Sequence, residues 1–274
     1  MIRGLFPFFV LLILTGLQTV AIKAIAQEPV YYVCIKTNLG NMRIKLYNET
    51  PEHRKNFIKL VTDKHFNGTL FYRVIKNFVI QGGSTDSRNA PPGKHIGYGN
   101  SSLTISSEFK QERFHKKGAI SAPRQPENIN HFRMSDISQF YIVHGKVYTN
   151  EQLDLLEKKV NNPIMAELKR NYYLSRKEEL NKLKLEAPRE FNRQMGEIRS
   201  KIDFEYTLSD RLIFSPEQRE TYTTIGGCPD LDGEYTVFGE VIEGLDVINR
   251  IAALKTDKND RPLKDVVITV EECY

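Results

Sequence analysis

Residues 71–83 of the 274-residue chain read FYRVIKNFVIQGG. Phe71, Val74, Ile75, Phe78, Val79 and Ile80 are the residues of a strand pair that belongs in a core, yet Arg73 and Gln81 sit inside that pattern. A charge buried there without a partner would cost an amount comparable to the whole stability of a small domain. If the chain turns through a three-residue connection, Lys76 to Phe78, Arg73 lies directly across from Gln81 on one sheet face. A two-residue turn would instead set Arg73 opposite Ile80. In the first register a guanidinium held by an amide beside apolar residues is a prepared hydrogen-bond donor. The competing reading is a structural arginine satisfied by a loop carbonyl.

Other reactive constellations are weak. The six histidines, at 53, 65, 95, 115, 131 and 144, show no paired metal-ligand spacing, and no CxxC occurs, so they read as surface or internally satisfied groups, and neither metal nor cofactor is expected. The stretch GKHIGYGN is glycine-rich but lacks the GK[ST] ending of a phosphate loop. Tyr172 and Tyr173 read as helix core.

The elements that must position Arg73 can be read from periodicity. Tyr31 to Tyr47 alternates apolar and polar residues about a turn at Asn38 to Gly40, as two hairpin strands would. A helix follows, with Thr50 as its cap, Pro51 in its first turn and Phe57, Leu60 and Val61 on one face. A loop rich in Gly, Pro and Ser spans Ser84 to Ser107. Strands are expected around Ala119 to Ala122 and from Ser138 in SQFYIV. From Asn150 to Tyr222 the chain turns long, charged and helical, with 14 basic and 14 acidic residues on what reads as a solvated face. Met165, Leu168 and Tyr172 share one helical spacing; Phe191, Met195, Ile198 and Ile202 share another, with Pro188 between the sets, which reads as a helical hairpin. Strand character resumes at YTVFGEV, a helix carries Leu245, Ile248 and Ile251, and DVVITVEECY closes the chain.

Composition sets the outer bounds. Arg3, an apolar run from Leu5 to about Ile22 and the small-x-small AIA at 24–26 read as a secretory signal cleaved after Ala26; an uncleaved anchor is the other reading. The expected organisation is signal 1–26, a first barrel part 27–149, a helical insertion 150–222 and a second barrel part 223–274. Beyond residue 26 there are 37 basic and 34 acidic residues, a balance that gives no reason to expect nucleic acid, and no later segment reads as membrane-spanning. The expected location is therefore periplasmic or secreted.

FYRVIKNFVIQGG, GAISAPR, SQFYIV and LDGEYTVFGEV, in this order, resemble the signature segments of cyclophilin-type peptidyl-prolyl cis-trans isomerases, over residues 31–148 and 223–274. The resemblance implies a mainly β fold with α: an eight-stranded antiparallel barrel closed by the Thr50 and Leu245 helices, with the helical hairpin inserted. It also implies that Arg73 is the catalytic arginine and Gln81 the glutamine beside it. By the same likeness Phe78, Val79, Tyr141, Leu231 and Tyr235 form the wall of a proline pocket, and Pro123, Arg124 and Gln125 supply backbone to a bound peptide. Two positions depart from the family's usual residues: Tyr141 carries a hydroxyl where phenylalanine is common, and Asp230 replaces a tryptophan associated with cyclosporin binding. In such a barrel the first and last strands lie side by side, so Cys34 and Cys273 are expected to approach disulfide distance, while Cys228 does not easily reach either; free half-buried thiols are the other reading.

The implied chemistry suits these residues. No nucleophile or metal is required to turn an amide; a donor is required where the nitrogen lone pair returns at the twisted state. The expected substrates are proline-containing peptides and unfolded exported proteins. The alternative is a non-catalytic scaffold or chaperone holding such segments in the same groove, with the insertion at its rim as an arm for substrate or a protein partner.

Overall fold

The computed structural model describes residues 29–98 and 103–273. The expected signal segment 1–26 lies outside the described residues. The chain runs β1 (Tyr31–Thr37), β2 (Gly40–Leu46), α1 (Pro51–Thr62), β3 (Thr69–Val74), β4 (Val79–Gly82), β5 (Thr104–Ile105), β6 (Ala119–Ser121), β7 (Ser135–Asp136) and β8 (Phe140–Val143). It continues with α2 (Asn150–Tyr172), α3 (Lys177–Glu186), α4 (Pro188–Leu208), α5 (Pro216–Thr224), β9 (Val237–Glu243), α6 (Leu245–Ala252) and β10 (Val267–Glu272).

Eight strands close into an antiparallel barrel in the order β1-β10-β3-β4-β8-β6-β9-β2, while β5 and β7 pair apart from it within what reads as loop sequence. The alternation in β1 and β2 sends Val33, Ile35, Met42, Ile44 and Leu46 into the barrel, where each is at most 1% exposed. Phe57, Leu60 and Val61 of α1 and Val247, Ile248 and Ile251 of α6 join this core. Thr50 occupies the N-cap position of α1, but its side chain makes no capping bond. The cap comes from a distant residue: the Glu108 carboxylate accepts from the N–H groups of Glu52 (3.2 Å) and His53 (3.0 Å).

Cys34 and Cys273 form a disulfide with Cα atoms 5.9 Å apart. Cys34 faces Glu271 across the β1–β10 pair. Cys273 is two residues further along, and an offset of two keeps both side chains on one face.

The helical segment exceeds a hairpin. Met165, Leu168 and Tyr172 of α2 do pack with Phe191, Met195, Ile198 and Ile202 of α4, but α3 adds Leu180, the most buried residue of that cluster. A second cluster lies nearer the barrel, where Leu153, Phe214 and Tyr222 meet Phe114. Between the two, Asn161 bridges the outgoing and returning chain: its Nδ2 donates to the Leu212 carbonyl (2.9 Å) and its Oδ1 accepts from the Leu212 N–H (2.8 Å). Everything beyond this bridge carries its own small core and leaves the barrel through two adjacent strands of chain. Replacing residues 164–210 by a short glycine-rich linker is therefore expected to keep the barrel's cooperative melting transition. A truncated protein that melts without cooperativity would show that the barrel depends on the distal arm.

Candidate active site

Arg73 and Gln81 owe their meeting to the turn between β3 and β4. The Ile75 N–H donates to the Val79 carbonyl (3.0 Å), which leaves Lys76 to Phe78 as the connection, and Asn77 takes the left-handed conformation there at φ 65°. Asparagine tolerates that region better than most side chains. Arg73 then lies opposite Gln81, Gln81 opposite Tyr141 on β8, and Tyr141 opposite Ser121 on β6. Directly opposed residues share a sheet face, so these side chains form one row across four strands of the outer surface. With strands about 4.8 Å apart, the row sets Arg73 about 10 Å from Tyr141.

A chain of hydrogen bonds fixes the donor. Its far end is Asp136, 5% exposed, whose Oδ1 accepts from the Ser138 N–H (2.9 Å) and hydroxyl (2.6 Å). A carboxylate can only accept, so Gln139 must turn its Nε2 toward Asp136 Oδ2 (2.7 Å) and its Oε1 toward Tyr72. The Tyr72 hydroxyl donates to that oxygen and accepts from Gln81 Nε2 (2.6 Å). Gln81 is thereby left with its Oε1 aimed at Arg73 Nη1, at 3.3 Å. Burial, with the Asp136 and Asp86 charges adding to it, pushes the Tyr72 phenol up, so it remains a neutral donor in this chain. Simple alternation would put Tyr72 on the face opposite Arg73; a register shift between Phe71 and Arg73 accompanies its contact with Gln81.

Arg73 itself is solvent-accessible, its side chain 39% exposed and its Nε 3.8 Å from Asp260 Oδ2. A cavity of about 320 Å³ lies along it, lined among others by Tyr72, Ile96, Asp260 and Arg261.

Beside the row, Val79 and Tyr141 are buried in a cluster against which Phe78, Leu231 and Tyr235 pack half-exposed. The structure thus brings together all five residues expected to line the pocket. The Tyr141 hydroxyl turns away to His115 Nε2, 3.0 Å off, and burial pushes its phenol well above the usual range. Of the expected peptide-pairing segment, the Pro123 carbonyl already accepts from the Asp136 N–H (2.8 Å), and Gln125 is exposed. The Arg124 side chain, 8% exposed, is pinned to Glu234 (2.7 Å) and Glu127 (3.2 Å) and lies 5.1 Å over the Tyr235 ring. It braces the pocket wall. Cys228 lies in the same cluster, and burial followed by the Asp230 and Asp232 charges pushes its thiol up to about 12.

The sequence reading did not assign Tyr72, Asp136 and Gln139, nor His115 and Asp232. The one usable signal was position: Gln139 lies within SQFYIV, and Asp232 lies between two expected wall residues.

Comparison with known proteins agrees with the fold. The family model described as cyclophilin type peptidyl-prolyl cis-trans isomerase/CLD matches residues 32–161 and 217–272, leaving only 162–216, the distal arm and its return, unmatched within that span. A Staphylococcus haemolyticus protein provisionally named a peptidyl-prolyl cis-trans isomerase is 28% identical over 238 residues, which cover 86% of this chain and 87% of the relative. A Streptococcus pyogenes protein provisionally named a bifunctional phosphatase/peptidyl-prolyl cis-trans isomerase is 26% identical over 245 residues, 88% of this chain and 38% of the relative. The chain thus spans well under half the length of that relative. A solved Cryptosporidium parvum cyclophilin type isomerase is similar in fold, with a TM-score of 0.50 at 19% identity over 90% of this chain and 99% of the other.

Proposed function

Since the chain belongs to the cyclophilin-type peptidyl-prolyl cis-trans isomerase family, we propose that it turns X-Pro bonds with Arg73 as the donor, in proteins exported from the cytoplasm. The observation that carries this reading is the row Arg73–Gln81–Tyr141 with an apolar cluster at its Tyr141 end. An X-Pro amide resists rotation by about 18–20 kcal/mol because its nitrogen lone pair is delocalised into the carbonyl. At the twisted state the lone pair returns to nitrogen. A guanidinium N–H aimed at that atom binds the twisted state better than either planar isomer. A differential of about 7 kcal/mol would give a rate increase of roughly 10⁵.

Each group has one task in this scheme. Phe78, Val79, Tyr141, Leu231 and Tyr235 hold the proline ring, and the backbone of the Pro123–Gln125 segment holds the peptide. Gln81 orients Arg73, and Asp136, Gln139 and Tyr72 orient Gln81. The export reading rests on the apolar run at residues 5–22 and on the disulfide, which needs an oxidising setting. Among the described residues no helix is long and apolar enough to cross a membrane.

The test is a protease-coupled assay on a series of X-Pro peptides, together with refolding of a protein whose slow phase is prolyl isomerisation. Acceleration of both supports the reading. Binding of proline peptides with neither accelerated would make the chain a holder of such segments and not an isomerase.

A further inference from the structure

We propose that α5, at the C-terminal end of the helical segment, sets the proline pocket, through a chain of hydrogen bonds that ends on Tyr141; this rests on the reading of that pocket given above. The chain begins on α5. The Tyr222 hydroxyl donates to Asp232 Oδ2 at 2.6 Å. Asp232 Oδ1 accepts from the His115 backbone N–H (2.8 Å) and from its ring Nδ1 (2.9 Å), and His115 Nε2 meets the Tyr141 hydroxyl at 3.0 Å. Tyr222 is 0% exposed, His115 1% and Tyr141 4%, with the Asp232 side chain at 10%, so water competes little for these bonds. Because a carboxylate only accepts, Nδ1 carries a hydrogen toward Asp232, which leaves Nε2 as the ring atom that meets the Tyr141 hydroxyl. The Tyr222 hydroxyl and the His115 Nδ1–H both donate to Asp232.

The rings transmit the arrangement to the pocket surface. His115 stacks on Tyr141 with centroids 6.1 Å apart, and Tyr235 stands edge-on to both, at 6.5 and 5.9 Å. Asp232 lies one residue from Leu231 and three from Tyr235, so the carboxylate that orients His115 also fixes the loop carrying two wall residues. The backbone is built for this approach. A Cβ on Gly227 would fall 2.3 Å from the His115 carbonyl oxygen and 2.6 Å from the Tyr222 ring, so only glycine lets the return from α5 close on His115. Tyr222 in turn packs with Phe114, the neighbour of His115, and with Leu153 of α2 and Phe214.

Tyr222, Asp232 and His115 are therefore positioning residues. Tyr141 is the specificity-determining residue through which they act: its hydroxyl, absent where the family usually has phenylalanine, is the link that couples α5 to the substrate. A merely structural contact would hold the helices to the barrel without touching the pocket, and a double-mutant cycle separates the two. KM and kcat for an X-Pro peptide are measured for the native protein, Tyr222→Phe, Tyr141→Phe and the double variant. Tyr222→Phe is expected to raise KM about fivefold with kcat within about twofold, because Arg73 and Gln81 are untouched. With Tyr141→Phe already in place, the same change should move KM by less than about twofold. Equal effects in both backgrounds, or a fall in kcat without a change in KM, would overturn the proposal. If Tyr222→Phe does not fold, Asp232→Asn is put through the same cycle with the same expectation. If the native protein proves to be a binder without turnover, peptide Kd replaces KM, so failure of the isomerase reading leaves this test intact.

Discussion

Arg73→Ala is expected to lower kcat/KM on X-Pro peptides at least ~100-fold, with peptide affinity changed much less. The guanidinium acts on the prolyl nitrogen only when the amide twists, so its loss removes stabilisation that the bound ground state never had. The substitution is also structurally mild. The side chain is 39% exposed and contributes nothing to the barrel core, so the folded fraction and the melting temperature should stay near native. Arg73→Lys should recover little, because an ammonium cannot both bond Gln81 and present a second planar N–H to substrate. Stopped protease-coupled kinetics on folded variants decide the matter. Native turnover in Arg73→Ala would remove Arg73 from the mechanism.

The second large effect concerns stability. The Cys34–Cys273 bond closes a loop across 239 positions of sequence and ties the first barrel strand to the last. On the loop-entropy model a loop of this length is worth about 5.5 kcal/mol, and strain in the native bond would reduce that figure. Cys34→Ser/Cys273→Ser should therefore unfold at a clearly lower denaturant concentration with an activity per folded molecule close to native, since neither cysteine lies in the Arg73 row. A midpoint identical to the native one would show that the bond adds nothing. Thiol counting provides a parallel check: Cys228, its thiol pushed up to about 12 by burial, keeps almost no thiolate at neutral pH. The native protein should then show no fast-reacting thiol, one after denaturation and three after reduction.

Much of this was legible in the chain because the carriers are local. Two-residue alternation in 31–47 writes the β1–β2 hairpin directly, and of the two turns the sequence leaves open after Ile75 the three-residue one, which the structure adopts, places Arg73 against Gln81. The pocket residues are scattered from 78 to 235, and only the family resemblance gathered them. What stayed hidden is what depends on through-space pairing. Tyr72 follows strict alternation in sequence and breaks it in space. Thr50 has the right type to cap α1, yet the cap is Glu108, 58 residues on. Asp136 and Asp232 look like any loop aspartates, and their importance comes from burial next to an amide and an imidazole that the sequence does not place beside them. That α3 is a separate helix was missed for a related reason: of its three leucines only Leu180 is buried.

The two buried aspartates give the site a common logic. Each is an acceptor-only group within a hydrogen-bond chain, and each forces the orientation of the groups between it and the groove. One chain ends on the donor, the other on the pocket floor. Binding and turnover should therefore respond separately to changes in the two chains, with the Asp136 side moving kcat and the Asp232 side moving KM.

The most direct test of the central claim is exchange NMR on an X-Pro tetrapeptide in the presence of a substoichiometric amount of the protein. The uncatalysed isomers interconvert over tens of seconds or more, too slowly for cross-peaks between cis and trans proline signals at short mixing times. The account predicts such cross-peaks with the native protein and their loss with Arg73→Ala. Peptide signals that shift on binding while cis and trans remain unexchanged would contradict it.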